Sequence, residues 1–259
     1  MTETQERRPK MVIFDKDGTL IDFDFMWASW VEKLSKDMAM LCRKRKISLV
    51  NESLDAKLFP LLGYDSEKRT VVSGGMLCCT PMHKIRGAVK QMLEVEYSIA
   101  GDIAEEILKQ TYGTPTPDTS NVKTLGDLRE AFTELKEKHK LKIGVCTTDD
   151  HEPTTDMLKM QGVADLVDVV IGGDDKHAAP KPSPEQIQYL CKQVEVDPKD
   201  VIMIGDTNTD MQMGKAAGVF LNIGIMHGAS SVKDLEVNAD VLVPSFEKMM
   251  CLMRKLCSS

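Results

Sequence analysis

Short apolar runs alternate with helix-period stretches through the second half of the chain. "LKIGVCT" (141–147), "VDVVIGG" (167–173), "VIMIGD" (201–206) and "VFLNIG" (219–224) are rich in β-branched residues and too short for helices, so they read as buried strands. Between them the spacing predicts helices near 153–161 and 184–194, and a third between the last two runs. Strands and helices in alternation build βαβ units, which makes the fold class α/β with a doubly wound parallel sheet. Helix ends carry their own signals. Ser183, Pro184 and Gln186 suit a capping box at the start of the second helix, and Gly162 and Gly218 suit C-caps.

A first strand, "MVIF" (11–14), stands apart from this series. After it strand signals largely vanish, and Trp27, Trp30, Val31, Leu34, Met38 and Leu41 recur at the spacing of an amphipathic helix. Further helices are expected near 83–96 and 101–112. "YGTPTPDTSNV" (112–122) then provides a proline-rich crossing before Leu125, Leu128, Phe132 and Leu135 resume a core helix. The pattern predicts a core domain of residues 1–22 and 118–259, interrupted by a helical insertion at 23–117. The last segment, "FEKMMCLMRKLC", spaces Phe246, Met249, Met253 and Leu256 along one buried helical stripe.

Composition narrows the functions open to such a chain. In 259 residues, 42% hydrophobic and 28% charged, there is enough apolar surface for a full core. No run of 18 apolar residues and no apolar leader in the first ten positions predict a soluble, cytoplasmic protein with no membrane partner. Seven scattered cysteines without Cys-x-x-Cys spacing read as reduced thiols rather than a zinc site. The net charge of −7 argues against a nucleic-acid partner, and the single basic run, "CRKRK" at 42–46, reads as a solvated helix end.

Ligands of open α/β sheets bind beyond the carboxyl ends of the strands. Asp15 and Asp17 follow "MVIF", Thr147 follows "KIGVC", Lys181 lies between Pro180 and Pro182, and Asp206 and Asp210 follow "VIMIG". Two carboxylates ~4 Å apart repel by about 4 kcal/mol at an effective dielectric of 20, so such a cluster needs a proton or a cation. Oxygen-only ligands favour a hard divalent ion such as Mg²⁺.

"DKDGTL" (15–20), Thr147, Lys181 and "GDTNTD" (205–210) resemble, in order, the four motifs of the haloacid dehalogenase superfamily. Within it the chain is similar to the phosphoglycolate phosphatase-like members, whose helical (C1-type) cap follows the first motif. The resemblance implies a Rossmann-like core and a Mg²⁺-dependent phosphatase acting on a small phosphorylated metabolite, with 2-phosphoglycolate the first guess. It implies Asp15 as nucleophile and Asp17 as general acid and base, with Gly18, Thr147, Thr148 and Lys181 around the phosphoryl group. Mg²⁺ would be held by Asp15, the Asp17 backbone carbonyl, Asp206 and Asp210. Asp17 speaks for phosphate-ester chemistry, because carbon–halogen-cleaving relatives lack it. Thr209 departs from the pattern, since related enzymes often carry Asn there.

In the cap, His83, Lys84 and Arg86 cluster at an expected helix start and suit a substrate anion, or are simply exposed basic residues. The alternatives are a sugar phosphomutase of the same superfamily, or a non-catalytic phosphate-binding regulatory module. A monomer or homodimer is expected.

Overall fold

The computed structural model describes residues 8–47, 49, 53–72, 74–112, 122–177 and 179–258. The chain forms two compact units, one of residues 1–22 and 124–259 and one of residues 23–123. The expected crossing at 117–118 lies outside the described residues.

The first unit begins with β1 (Met11–Phe14), all four residues buried. The chain then builds the second unit, starting with α1 (Phe23–Lys44), whose buried stripe includes Trp27, Trp30, Val31, Leu34 and Met38. Arg43 and Lys44 fall in its last turn, where cations complement the helix dipole. Next come α2 (Leu54–Leu62), a hairpin of β2 (Tyr64–Asp65) and β3 (Thr70–Val71), α3 (Met76–Cys79), α4 (Met82–Glu96) and α5 (Gly101–Thr111). The hairpin was not foreseen in an insertion read as helical, where strand signals largely vanish. Two-residue strands are too short to show a period of two.

Back in the first unit, α6 (Leu128–Thr133) continues as a π-helical turn, Glu134–Lys138. β4 (Lys142–Cys146), α7 (His151–Met160), β5 (Val169–Ile171), α8 (Glu185–Gln193), β6 (Val201–Gly205), α9 (Asn208–Ala217) and β7 (Leu221–Ile225) follow. α10 (Val232–Leu235), β8 (Val241–Val243) and α11 (Phe246–Ser258) complete it. β8 has three residues and was not foreseen. The expected stripe of α11 is buried at Phe246, Met249 and Met253.

The six main strands form one parallel sheet in the order β5-β4-β1-β6-β7-β8. The chain therefore starts in the middle, winds out through β4 and β5, and returns to β6 before winding out the other way. This reversal beside β1 opens a crevice at the strands' carboxyl ends. Alternation along β1 shows both faces covered. Met11 and Ile13 pack with Ile187, Leu190 and Cys191 of α8 and Met213 of α9, whereas Phe14 stacks on Phe132 of α6 at 5.3 Å between ring centroids. Each such fully buried side chain contributes about 1.5–3 kcal/mol.

One expected cap is corrected. α8 has Pro184 at its N-cap with no side-chain capping bond. Gln186 instead turns inward, 1% exposed, and accepts a hydrogen bond from the Cys146 thiol at 3.3 Å. Gly218 does cap α9 in the left-handed conformation. Among the described residues no helix is long and apolar enough to cross a membrane.

Candidate active site

Parallel register carries the residues after β1, β4 and β6 to one edge of the sheet. Phe14 lies beside Val145 and Ile204, and the amide of Asp15 donates to Ile204 O at 2.9 Å, so the loop leaving β1 starts tied to β6. From there it turns tightly, with the Leu20 amide donating to Lys16 O at 2.9 Å and the Gly18 amide to Ile21 O at 2.8 Å.

Asp15, Asp206 and Asp210 each present a carboxylate oxygen within 4.8 Å of the others, in the arrangement that could hold a metal ion. Asp15 is 6% exposed, and Asp206 and Asp210 are fully buried. Lys181 Nζ lies 2.6 Å from Asp15 Oδ1 and 2.6 Å from Asp210 Oδ1. Asp210 is further fixed by a capping box at the start of α9. Its Oδ2 accepts from the Thr207 amide at 3.0 Å, and its own amide donates to Thr207 Oγ1 at 3.2 Å. Asp206 accepts from the Ala229 amide at 2.6 Å and from Thr19 Oγ1 at 3.2 Å.

Glycines make room for this carboxylate. A Cβ on Gly18, whose φ is +81°, would stand 2.3 Å from Asp206 Oδ2, and one on Gly228 would stand 2.1 Å from the same atom. A side chain at either place would push Asp206 out of the cluster.

One ammonium facing three buried carboxylates leaves excess negative charge. At 4.8 Å each like-charged pair costs about 3–4 kcal/mol at an effective dielectric of 20. Burial accordingly pushes the Asp15 carboxyl up to about 7, opposed by Lys181 and reinforced by Asp210 and Asp17. Burial, with Asp15 and Asp210 adding to it, also raises Asp206 well above the carboxylate range. For Lys181 burial pulls the other way, yet Asp15 and Asp210 outweigh it and hold the ammonium charged. A cluster that draws protons at neutral pH is one that a divalent cation would stabilise, and its all-oxygen donors suit a hard ion.

The remaining core residues sit around this cluster's loops. Thr147, 1% exposed, accepts the Asp149 amide at 3.1 Å through Oγ1, which leaves its own hydroxyl hydrogen to donate elsewhere. Thr148 follows it and is half-buried. Asp17 adds no side-chain oxygen to the metal-capable cluster; its Oδ2 lies 3.1 Å from Lys16 Nζ.

Sequence reasoning passed over two residues here, Lys16 and Asp149. The Lys16 side chain is 2% exposed and its ammonium lies 2.6 Å from Asp149 Oδ2. Nothing in a lysine between two aspartates announces burial, because charged residues at loop starts are ordinarily solvated. The loop after β7, with Gly228 and Ala229, was also missed, though its position after an apolar strand marks it in the same way as the others.

In the second unit, His83 and Lys84 lie exposed in the first turn of α4. Arg86 is held by Glu105 of α5, with Nη2–Oε1 at 2.6 Å and Nη1–Oε2 at 3.4 Å.

Residues 9–218 match the family model of the haloacid dehalogenase-like hydrolases. A phosphoglycolate phosphatase of Nitrosospira multiformis is 27% identical over 188 residues, covering 68% of this chain and 81% of its own. One of Salmonella typhi is 25% identical over 248 residues, 92% of this chain and 90% of its own. A crystal structure of a phosphoglycolate phosphatase predicted in Haemophilus somnus 129pt superposes with a TM-score of 0.65 at 18% identity, covering 95% of this chain and 98% of that one.

Proposed function

The chain belongs to the haloacid dehalogenase-like hydrolases and is a phosphatase, and on that premise we propose that it hydrolyses small phosphomonoesters, 2-phosphoglycolate first, with Mg²⁺ as cofactor. The observation that carries this reading is the Lys181-bridged cluster of Asp15, Asp206 and Asp210 where the sheet order reverses.

Asp15 is the nucleophile. One carboxylate oxygen attacks phosphorus, the ester P–O bond breaks, and an aspartyl-phosphate forms while the leaving oxygen takes a proton from Asp17. Asp17 then removes a proton from water, whose oxygen attacks the same phosphorus and returns Asp15 with release of inorganic phosphate. Lys181 holds the Asp15 carboxylate in place and offers positive charge to the phosphoryl oxygens. Thr147 donates its hydroxyl to a phosphoryl oxygen, with Thr148 and Gly18 lining the same loops. Asp15, Asp206, Asp210 and the Asp17 carbonyl would hold Mg²⁺, which when bound neutralises the cluster and draws charge from the transferring phosphoryl group. His83, Lys84 and Arg86 are proposed contacts to the remainder of the substrate.

A phosphate-release screen over small phosphomonoesters, with and without Mg²⁺ and with Asp15→Asn as control, tests the reading. Wild-type release that requires Mg²⁺ and is at least about 10⁴-fold lower in the variant is expected. Transfer back to a sugar phosphate without net phosphate release would indicate a phosphomutase. A flat panel would indicate a binding module.

A further inference from the structure

We infer that Lys16 is a positioning residue for Asp17 and that Asp149 is its anchor; this rests on the acid and base role proposed for Asp17. The Lys16 ammonium contacts Asp149 Oδ2 at 2.6 Å and Asp17 Oδ2 at 3.1 Å, with side-chain exposures of 2%, 3% and 12% for Lys16, Asp149 and Asp17. Burying an ammonium costs several kcal/mol, which an apolar side chain at the same place would avoid. Stability alone gives little reason for a lysine here.

Asp149 is a rigid support. Its Oδ1 accepts the Asp150 amide at 2.8 Å, its carbonyl accepts the Gly173 amide at 2.7 Å, and its own amide donates to Thr147 Oγ1 at 3.1 Å. The loops after β4 and β5 are thereby joined at one residue, and Lys16 extends that joint to the loop after β1. One oxygen of Asp17 is held across three loops. Fixing the carboxylate removes rotamer freedom that the proton-transfer step would otherwise have to suppress. The same residue, Asp149, aims the Thr147 hydroxyl, so phosphoryl contact and leaving-group protonation share one support.

The consequence is read in leaving-group dependence. p-Nitrophenolate departs without a proton, whereas the alkoxide of 2-phosphoglycolate needs one, and general acid catalysis contributes about 10²–10⁴-fold. In Lys16→Met, kcat/KM is expected to fall about 100-fold on alkyl phosphates and tenfold or less on p-nitrophenyl phosphate. That variant leaves Asp149 buried without its cation and is expected to melt lower. Lys16→Met/Asp149→Leu replaces the pair with apolar groups and recovers the melting temperature while the steep leaving-group dependence persists. Asp149→Asn, which keeps the lysine but loses the charged anchor, gives a smaller steepening.

A loss equal across the ester series, or a double variant with the wild-type dependence, would show the lysine to be structural and overturn the inference. No phosphate release from any ester by the wild-type chain would overturn the phosphatase reading and this one with it.

Discussion

The strand ends of the first unit and the start of α4 in the second both gather charged side chains, and they treat them in opposite ways. Asp15, Asp206 and Asp210 are withdrawn from water with carboxylate oxygens within 4.8 Å of one another although all three carry the same sign, and the buried Lys181 ammonium reaches Asp15 and Asp210. His83 and Lys84 stay exposed, and Arg86 lies in a partly exposed pair with Glu105. Solvation and pairing account for every charge on α4. Neither accounts for three buried carboxylates around one ammonium, which raises the free energy of the fold unless a ligand repays it at binding. Unfavourable electrostatics that the surrounding structure enforces are stronger evidence of a site than basic residues in favourable places.

Removing Lys181 should break the contrast most sharply. Lys181→Met leaves Asp15 and Asp210 facing each other without a cation. We expect kcat to fall about 10²–10³-fold, the scale of losing one preorganised electrostatic contact in a reaction centre. The metal-free variant should also be destabilised by about 3–5 kcal/mol, as when one partner of a buried pair is deleted. Steady-state kinetics and chemical denaturation check the two arms. Unchanged kcat would remove the lysine from the reaction.

The next effect sharpens the comparison through pH. Asp15 has an ordinary carboxyl value of 3.8 that the fold raises to about 7. Between those values the folded chain binds more protons than the unfolded one, so the contribution to stability is largest in acid and is lost as pH rises through 7. Metal-free protein should therefore melt at progressively lower temperature from pH 4 to pH 7. Mg²⁺, which competes with those protons, should raise the melting temperature more at pH 8 than at pH 5. Each 1 kcal/mol corresponds to roughly 2–4 °C in a domain of this size. Calorimetry across that range with EDTA and with Mg²⁺ decides it; a Mg²⁺ effect independent of pH would detach the ion from the carboxylates.

The same contrast explains what could be read from the chain. Asp15, Asp17, Thr147, Asp206 and Asp210 could be picked out because they come soon after apolar strands, whose carboxyl ends a parallel sheet brings to one edge, and Lys181 because two prolines bracket it. Topology substitutes there for three-dimensional information. Lys16 was not legible, since its burial depends on Asp149, more than a hundred residues away. Gln186 misled for a similar reason. Its place three residues after Ser183 fits a cap, but the helix turns that position toward Cys146. In the second unit the long stripe of α1 declared itself, whereas α2 and the β2–β3 hairpin are too short for periodicity to separate them from loop. No sheet edge fixes where α4 presents its side chains, and the sequence carries no sign that Glu105 would meet Arg86.

The smallest expected effect concerns that pair. A solvent-screened ion pair contributes little to stability, so Arg86→Ala should leave folding almost unchanged. A guanidinium already bidentate on Glu105 must exchange one carboxylate for another to reach a substrate, which cancels most of the gain. We therefore expect Arg86→Ala to raise KM only about threefold with kcat unaltered, the pattern of a contact equally strong in ground and transition states. Glu105→Gln weakens the competing partner while keeping its shape, and should lower KM for 2-phosphoglycolate without changing KM for p-nitrophenyl phosphate, which has no carboxylate to bind. Measured together, the two variants separate the meanings of a basic residue on α4. Opposite shifts in KM make Arg86 a substrate contact held in check by Glu105. Two unchanged values make the pair a surface brace between α4 and α5, leaving substrate choice to other side chains.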